Sequence, residues 1–157
     1  MIYSNLYNSP MGPIVMKAND DFLVAIDLQP DPCNDNFHCN PIIEETIQQL
    51  EEYFLGERRE FTIPLEVHGT SFQKKVFEAM RAIGYGEVLS YSELALSIGH
   101  PRAFRAVGSA CGLNRLPILI PCHRVISANG LGGFSTGISQ KIFLLNLEGY
   151  LKSRNLK

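Results

Sequence analysis

Residues 90–112 read SYSELALSIGHPRAFRAVGSACG, and the fold of this chain turns on them. Ser90 and Glu93 stand at capping-box spacing, where each side chain satisfies a backbone N–H of the first helical turn. The helix opened there stops at Gly99, and Pro101 starts another almost at once. Helix, short turn, helix is the layout of a helix-turn-helix. On the second helix Arg102, Arg105 and Ser109 fall at i, i+3 and i+7 and share a face. Ala103, Ala106, Val107 and Ala110 form a neighbouring face of small residues. Small side chains would let the helix backbone approach a partner closely. Packing against another helix through alanine is the alternative reading.

Outward from this motif, TSFQKKVFEAMRAIG (70–84) reads as a helix with Phe72, Val76, Met80 and Ile83 on one face and Ser71 or Thr70 as its cap. Downstream, LPILIPCHRVISANGLGGFSTG (116–137) holds an apolar run through Leu119 and Ile120. ANG is a hairpin signal between RVIS and LGGF. SQKIFLLNLEGYL (139–151) predicts a terminal helix. Upstream, GPIVMKA and FLVAIDL are strand-like, with NDD between them and the turn signal SPMG before them. Residues 29–41 form a polar, proline-rich loop. A helix follows, capped by Asn40 with Pro41 in its first turn, striped by Ile43, Ile47, Leu50 and Phe54, and ended by Gly56. FTIPLEVHG (61–69) reads as extended.

The chain has 157 residues, 45% hydrophobic and 19% charged, an ordinary globular composition. No apolar run approaches the roughly 20 residues of a membrane span, and no secretory signal is visible. Four irregularly spaced cysteines (33, 39, 111 and 122) are expected to be reduced thiols in a cytosolic-type compartment. Net charge is −2 but unevenly spread. Residues 1–68 hold 3 Lys/Arg and 12 Asp/Glu, whereas residues 69–157 hold 11 and 4. The sign changes near Gly69, which places a domain boundary there. A basic C-terminal half suggests contact with a polyanion, or attraction between the two halves.

IPCHRV (120–125) sets a thiol, an imidazole and a guanidinium side by side. A free thiol, with a pKa near ~8.5, is only slightly ionised at neutral pH, so a nucleophile there needs a base or a cation. In an extended segment His123 would point away from Cys122 and reach it through a water. An imidazole base also needs an orienting acceptor, and Glu148 is the only acidic residue after Glu93. A buried structural thiol is the competing reading. Zinc fits poorly, because Cys122 has no partner at ligand spacing and Cys33, His38 and Cys39 match none of the common patterns.

The chain is identified by these residues as resembling the O6-alkylguanine-DNA alkyltransferases, or methylated-DNA–protein-cysteine methyltransferases. IPCHRVI is similar to their active-site signature. The likeness runs from TSFQKKVFEAM through the helix-turn-helix, the glycine loop and LLNLEG, covering about residues 69–150; residues 1–68 fit more loosely. The resemblance implies an α+β architecture. A small N-terminal α/β, ribonuclease H-like domain (1–68) precedes a mostly helical winged helix-turn-helix domain (69–157).

It further implies flipping of O6-alkylguanine, mainly O6-methylguanine and also O4-methylthymine, out of duplex DNA, with irreversible transfer of the alkyl group to Cys122. His123 would act as water-linked base and Glu148 as its orienting group. Asn114 would brace the turn, and Tyr91 would bond the guanine and press on the neighbouring phosphate. Arg105 would fill the vacated place, with Ala106, Gly108, Gln73, Ser92 and Arg102 on the DNA. Val125, Phe134, Ser135 and Pro121 would shape the pocket. No cofactor is implied. The zinc of some relatives is not carried over, since no cysteine precedes Cys33. The expected partner is double-stranded DNA bearing the lesion, with no membrane, for a cytoplasmic monomer. Thr136 stands where glycine is usual, in a shortened loop, and is expected to narrow the pocket. Phe104 stands where a small residue is usual. A non-repairing lesion binder and a Cys–His–Glu hydrolase are the alternatives.

Overall fold

A three-stranded sheet and one helix build the first of two units, Met1–Val67. The computed structural model describes residues 1–31 and 36–153, with side chains through 151. Three strands, β1 (Tyr3–Ser9), β2 (Gly12–Ala18) and β3 (Leu23–Asp27), form an antiparallel sheet in sequence order. β2 is central, and its Ile14, Val15 and Met16 are all buried. β1 escapes the sequence reading because its half-polar YSNLYNS lacks a strong strand signature. SPMG is the turn joining it to β2, with Ser9 opposite Gly12, and Gly12 takes φ +101.

Helix α1 (Pro41–Phe54) packs on β1 and β2 and is capped as expected, Asn40 accepting from Ile43 N. Its buried face is rotated from the expected stripe. Thr46, Gln49 and Tyr53 are buried with Ile43, Leu50 and Phe54, while Ile47 is only half-buried. Gln49 explains the shift: its amide bonds Thr62 twice and Glu45 once, pinning the 60s segment. That segment bridges β3 through Leu65 and Leu23.

The second unit, His68–Lys157, is built on helices α2 (Ser71–Arg81), α3 (Tyr91–Ser97) and α4 (Phe104–Gly112). Thr70 and Ser90 each close a full capping box, with Gln73 and Glu93. Val76, Met80, Leu94, Ala95, Val107 and Ala110 form the buried core among the three helices. The second helix of the motif begins at Phe104, not Pro101, and Pro101–Arg102 form a turn. Arg102 therefore lies ahead of α4. The small face divides as well: Val107 and Ala110 are buried, while Ala106 is exposed.

Two further expectations are corrected. The ANG segment makes one antiparallel bridge, Ser127 to Gly130, instead of a hairpin of two strands. The two-residue strand β5 (Val125–Ile126) pairs in parallel with β4 (Leu89–Ser90). The terminal helix is two helices, α5 (Ile138–Leu147) and α6 (Tyr150–Ser153), parted at Gly149 with φ +85. Among the described residues no helix is long and apolar enough to cross a membrane.

Candidate active site

The apolar run before Cys122 does not stay extended. Ile118 takes φ +74, a region β-branched residues avoid, and Ile120 N donates to Leu116 O at 2.8 Å. Asn114 ties this turn across α4's end: its Nδ2 donates to Ile120 O at 2.8 Å and its Oδ1 accepts from Leu116 N. Cys122, His123 and Arg124 then form one 3-10 turn. Successive side chains are thus spread around a helical turn, not set on opposite faces as an extended segment would have them. All three are buried.

Behind Cys122 lies a closed polar network. Glu148, at the C-cap of α5, accepts from His123 Nε2 at 2.8 Å and from Arg124 Nε and Nη2 at 2.9 Å each. Gly86 N adds a fourth bond at 3.3 Å, and Arg124 Nη1 donates to Ile83 O at 2.7 Å. Burial pushes the Glu148 pKa up, but the bonds and charges of His123 and Arg124 more than reverse this and hold it well below the usual carboxylate range. Burial pushes the His123 pKa down against the pull of Glu148, so the ring is neutral. With an ionised carboxylate on Nε2, the ring proton sits there. Nδ1, buried and bonded to no described protein group, is left as the basic nitrogen.

Lys141 on α5 is fully buried and donates from Nζ to Val125 O at 2.6 Å and to Gly133 O at 3.1 Å. Burial brings its pKa down to about 8, against the charges of Cys122 and Cys111. Burial raises the Cys122 thiol, opposed by the Asn114 amide and the Lys141 ammonium. The thiol opens into a pocket of about 170 Å³ lined by Tyr91, Gly108, Cys111, Cys122, Phe134 and Ser135, among others. Tyr91 is the first residue of α3, fixed there by the Ser90 cap.

The structure thus brings Cys122, His123, Glu148, Asn114, Tyr91, Gly108, Phe134 and Ser135 to one place. Pro121 and Val125 are buried beside the turn. Ser92, Arg102, Arg105 and Ala106 are exposed, and Gln73 is occupied in the Thr70 capping box. The Thr136 hydroxyl donates to Gln140 on α5, and Thr136 is not among the residues lining the pocket. Cys33 lies outside the described residues; among those described, no cluster of His, Cys, Asp and Glu could hold a metal.

Sequence reasoning noted the Arg124 guanidinium beside the thiol but missed its pairing with Glu148, and it missed Lys141, whose charge reads as part of the basic half. A signal existed for Lys141: with Leu144, Leu145 and Glu148 it falls at i, i+3, i+4 and i+7, a buried stripe with a charge at each end.

Both units of the chain are similar to known proteins. Residues 71–150 match the DNA-binding domain model of 6-O-methylguanine DNA methyltransferase, and residues 2–67 match its ribonuclease-like domain. A methylated-DNA–protein-cysteine methyltransferase of Methanosarcina acetivorans is 41% identical, with 94% of this chain and 99% of that protein covered. The constitutive enzyme of Bacillus subtilis is 40% identical, with 94% and 96% covered. The crystal structure of Mycobacterium tuberculosis OGT in complex with DNA superposes with a TM-score of 0.85 at 39% identity, covering 93% of this chain and 92% of that one.

Proposed function

Because the chain belongs to the 6-O-methylguanine DNA methyltransferase family, we propose that Cys122 is the alkyl acceptor and that the network behind it sets its reactivity. The protein is a methylated-DNA–protein-cysteine methyltransferase, which binds DNA and repairs O6-methylguanine in it. The observation that carries the assignment is the chain Arg124–Glu148–His123, which leaves a basic Nδ1 in the turn that bears the thiol.

The target atom is unreachable inside the base stack, so the nucleotide is flipped into the pocket. Arg105 takes the vacated place while the start of α4, with Ala106 and Gly108, lies in the minor groove. Gln73, Ser92 and Arg102 contact the backbone. The Val125 carbonyl and Ser135 hold the guanine edge, and Phe134 and Pro121 wall the site. His123 draws the thiol proton through a water, and the Lys141 ammonium steadies the thiolate. Sulfur attacks the methyl carbon as the bond to O6 breaks, and Tyr91 bonds the departing guanine and presses on the neighbouring phosphate. In sum, the thiol hydrogen and the methyl exchange places between sulfur and base. The thioether is stable, so each molecule acts once. O4-methylthymine offers the same methoxy carbon on a smaller base. The protein acts as a monomer, in the cytoplasm, where DNA is at hand and thiols stay reduced.

Incubation with a duplex containing O6-methylguanine is expected to add one methylene mass (~14 Da) to the peptide holding Cys122. Folded, DNA-binding protein that gains no mass would instead be a lesion binder. Turnover of an ester would make it a hydrolase.

A further inference from the structure

Helix α4 begins at Phe104, a residue 44% exposed, although Val107 and Ala110 on the same helix are buried. A single exposed apolar residue means little by itself. This one is placed: the Arg105 guanidinium carbon lies 5.8 Å from the centroid of the Phe104 ring. Arg105 and Ala106 are exposed beside it, and Ala106 leaves room for close approach. Two flat groups thus leave one helix end together, and nucleic-acid bases stack on aromatic rings and guanidinium planes alike.

We propose that Phe104 is a second stacking residue of this protein, wedging into the base step beside the flipped nucleotide while Arg105 fills the vacancy. The proposal rests on the reading of Arg105 as the residue that enters the stack. Base levels along a strand are about 3.4 Å apart. A guanidinium at the vacated level therefore leaves a ring 5.8 Å away within reach of the flanking base. Apolar wedges of this kind unstack a base step and bend the duplex. That bend would help hold the lesion out of the stack. Phe104 does not line the pocket at Cys122, so its contact is with the duplex and not with the reacting atoms.

The test separates opening of the duplex from chemistry. Phe104→Ala is expected to slow repair of O6-methylguanine in duplex DNA about tenfold, from the loss of one base–aromatic stack, with reaction toward free O6-benzylguanine unchanged. The chain contains no tryptophan, so Phe104→Trp installs a sole tryptophan, excited selectively over the tyrosines, whose emission should be quenched by stacking when lesion duplex is bound. Duplex repair by Phe104→Ala that is as fast as wild type or faster overturns the proposal, as does a tryptophan emission that DNA leaves unchanged. Equal losses on duplex and free base also overturn it, since they would mean a defect at the pocket. Arg105→Ala is measured alongside. If it alone slows duplex repair, the wedge fails and the Arg105 reading stands; if neither variant does, both fail.

Discussion

Glu148 illustrates how one side chain joins stability to chemistry. Its carboxylate is fully enclosed yet ionised, because three side-chain bonds and one backbone N–H replace its hydration. Removing one member of a buried pair strands the other, so Glu148→Gln is expected to cost about 3 kcal/mol at neutral pH. The sign with pH follows from the depressed folded-state pKa. The stabilisation is fully present above the ordinary carboxylate value of 4.5 and is lost as pH falls through the lower folded value. Urea melts at descending pH should therefore show the gap between wild type and Glu148→Gln narrowing below about 4.5. A gap that stays constant would mean that Glu148 is not held as an ion. From the residues themselves Glu148 could be named only by elimination, and the family resemblance supplied its role. Arg124 stood beside Cys122 and His123 in the sequence, but its burial and its bond to Glu148 could not be read there, because the exposure of a charge is set by contacts about forty residues away, such as its bond to Ile83 O.

At the scale of the elements, local chemistry was legible and pairing was not. The caps at Asn40, Thr70 and Ser90 are short-range hydrogen bonds, and the structure forms all three. The hairpin at ANG was equally local, yet β5 turns to β4, 36 residues upstream. The loop that follows owes its course to Gly132, at φ +74. A Cβ there would meet Ser127 N at 3.2 Å and the Tyr91 ring at 3.3 Å. Gly132→Ala is accordingly expected to cost about 1–2 kcal/mol from the left-handed backbone alone. It should also displace Tyr91 and slow methyl transfer more than DNA binding. Melts and single-turnover rates check both parts; a variant as stable and as fast as wild type would reduce Gly132 to a spacer.

For the whole molecule, composition overstated the charge available to DNA. Of the basic residues after Gly69, Arg124 and Lys141 are buried in the active site, while Lys74, Lys75, Arg81, Arg102, Arg105 and Arg115 are exposed. Releasing counterions from the phosphates they meet should make log affinity fall linearly with log salt, with a slope of roughly −3 to −5. Titrations between low and physiological salt measure it, and a flat line would remove the basic half as the DNA face. The sequence by itself determined the helix caps, the helix-turn-helix, the change of charge near Gly69 and the family, because each rests on residues close in the chain or on a contiguous motif. Tertiary structure alone decided which charges are buried, the split of α4's small face and the parallel pairing of β5. It also decided the burial of His123 and the bond of its Nε2 to Glu148. Each of these depends on desolvation and on partners brought from distant segments, which no local pattern records.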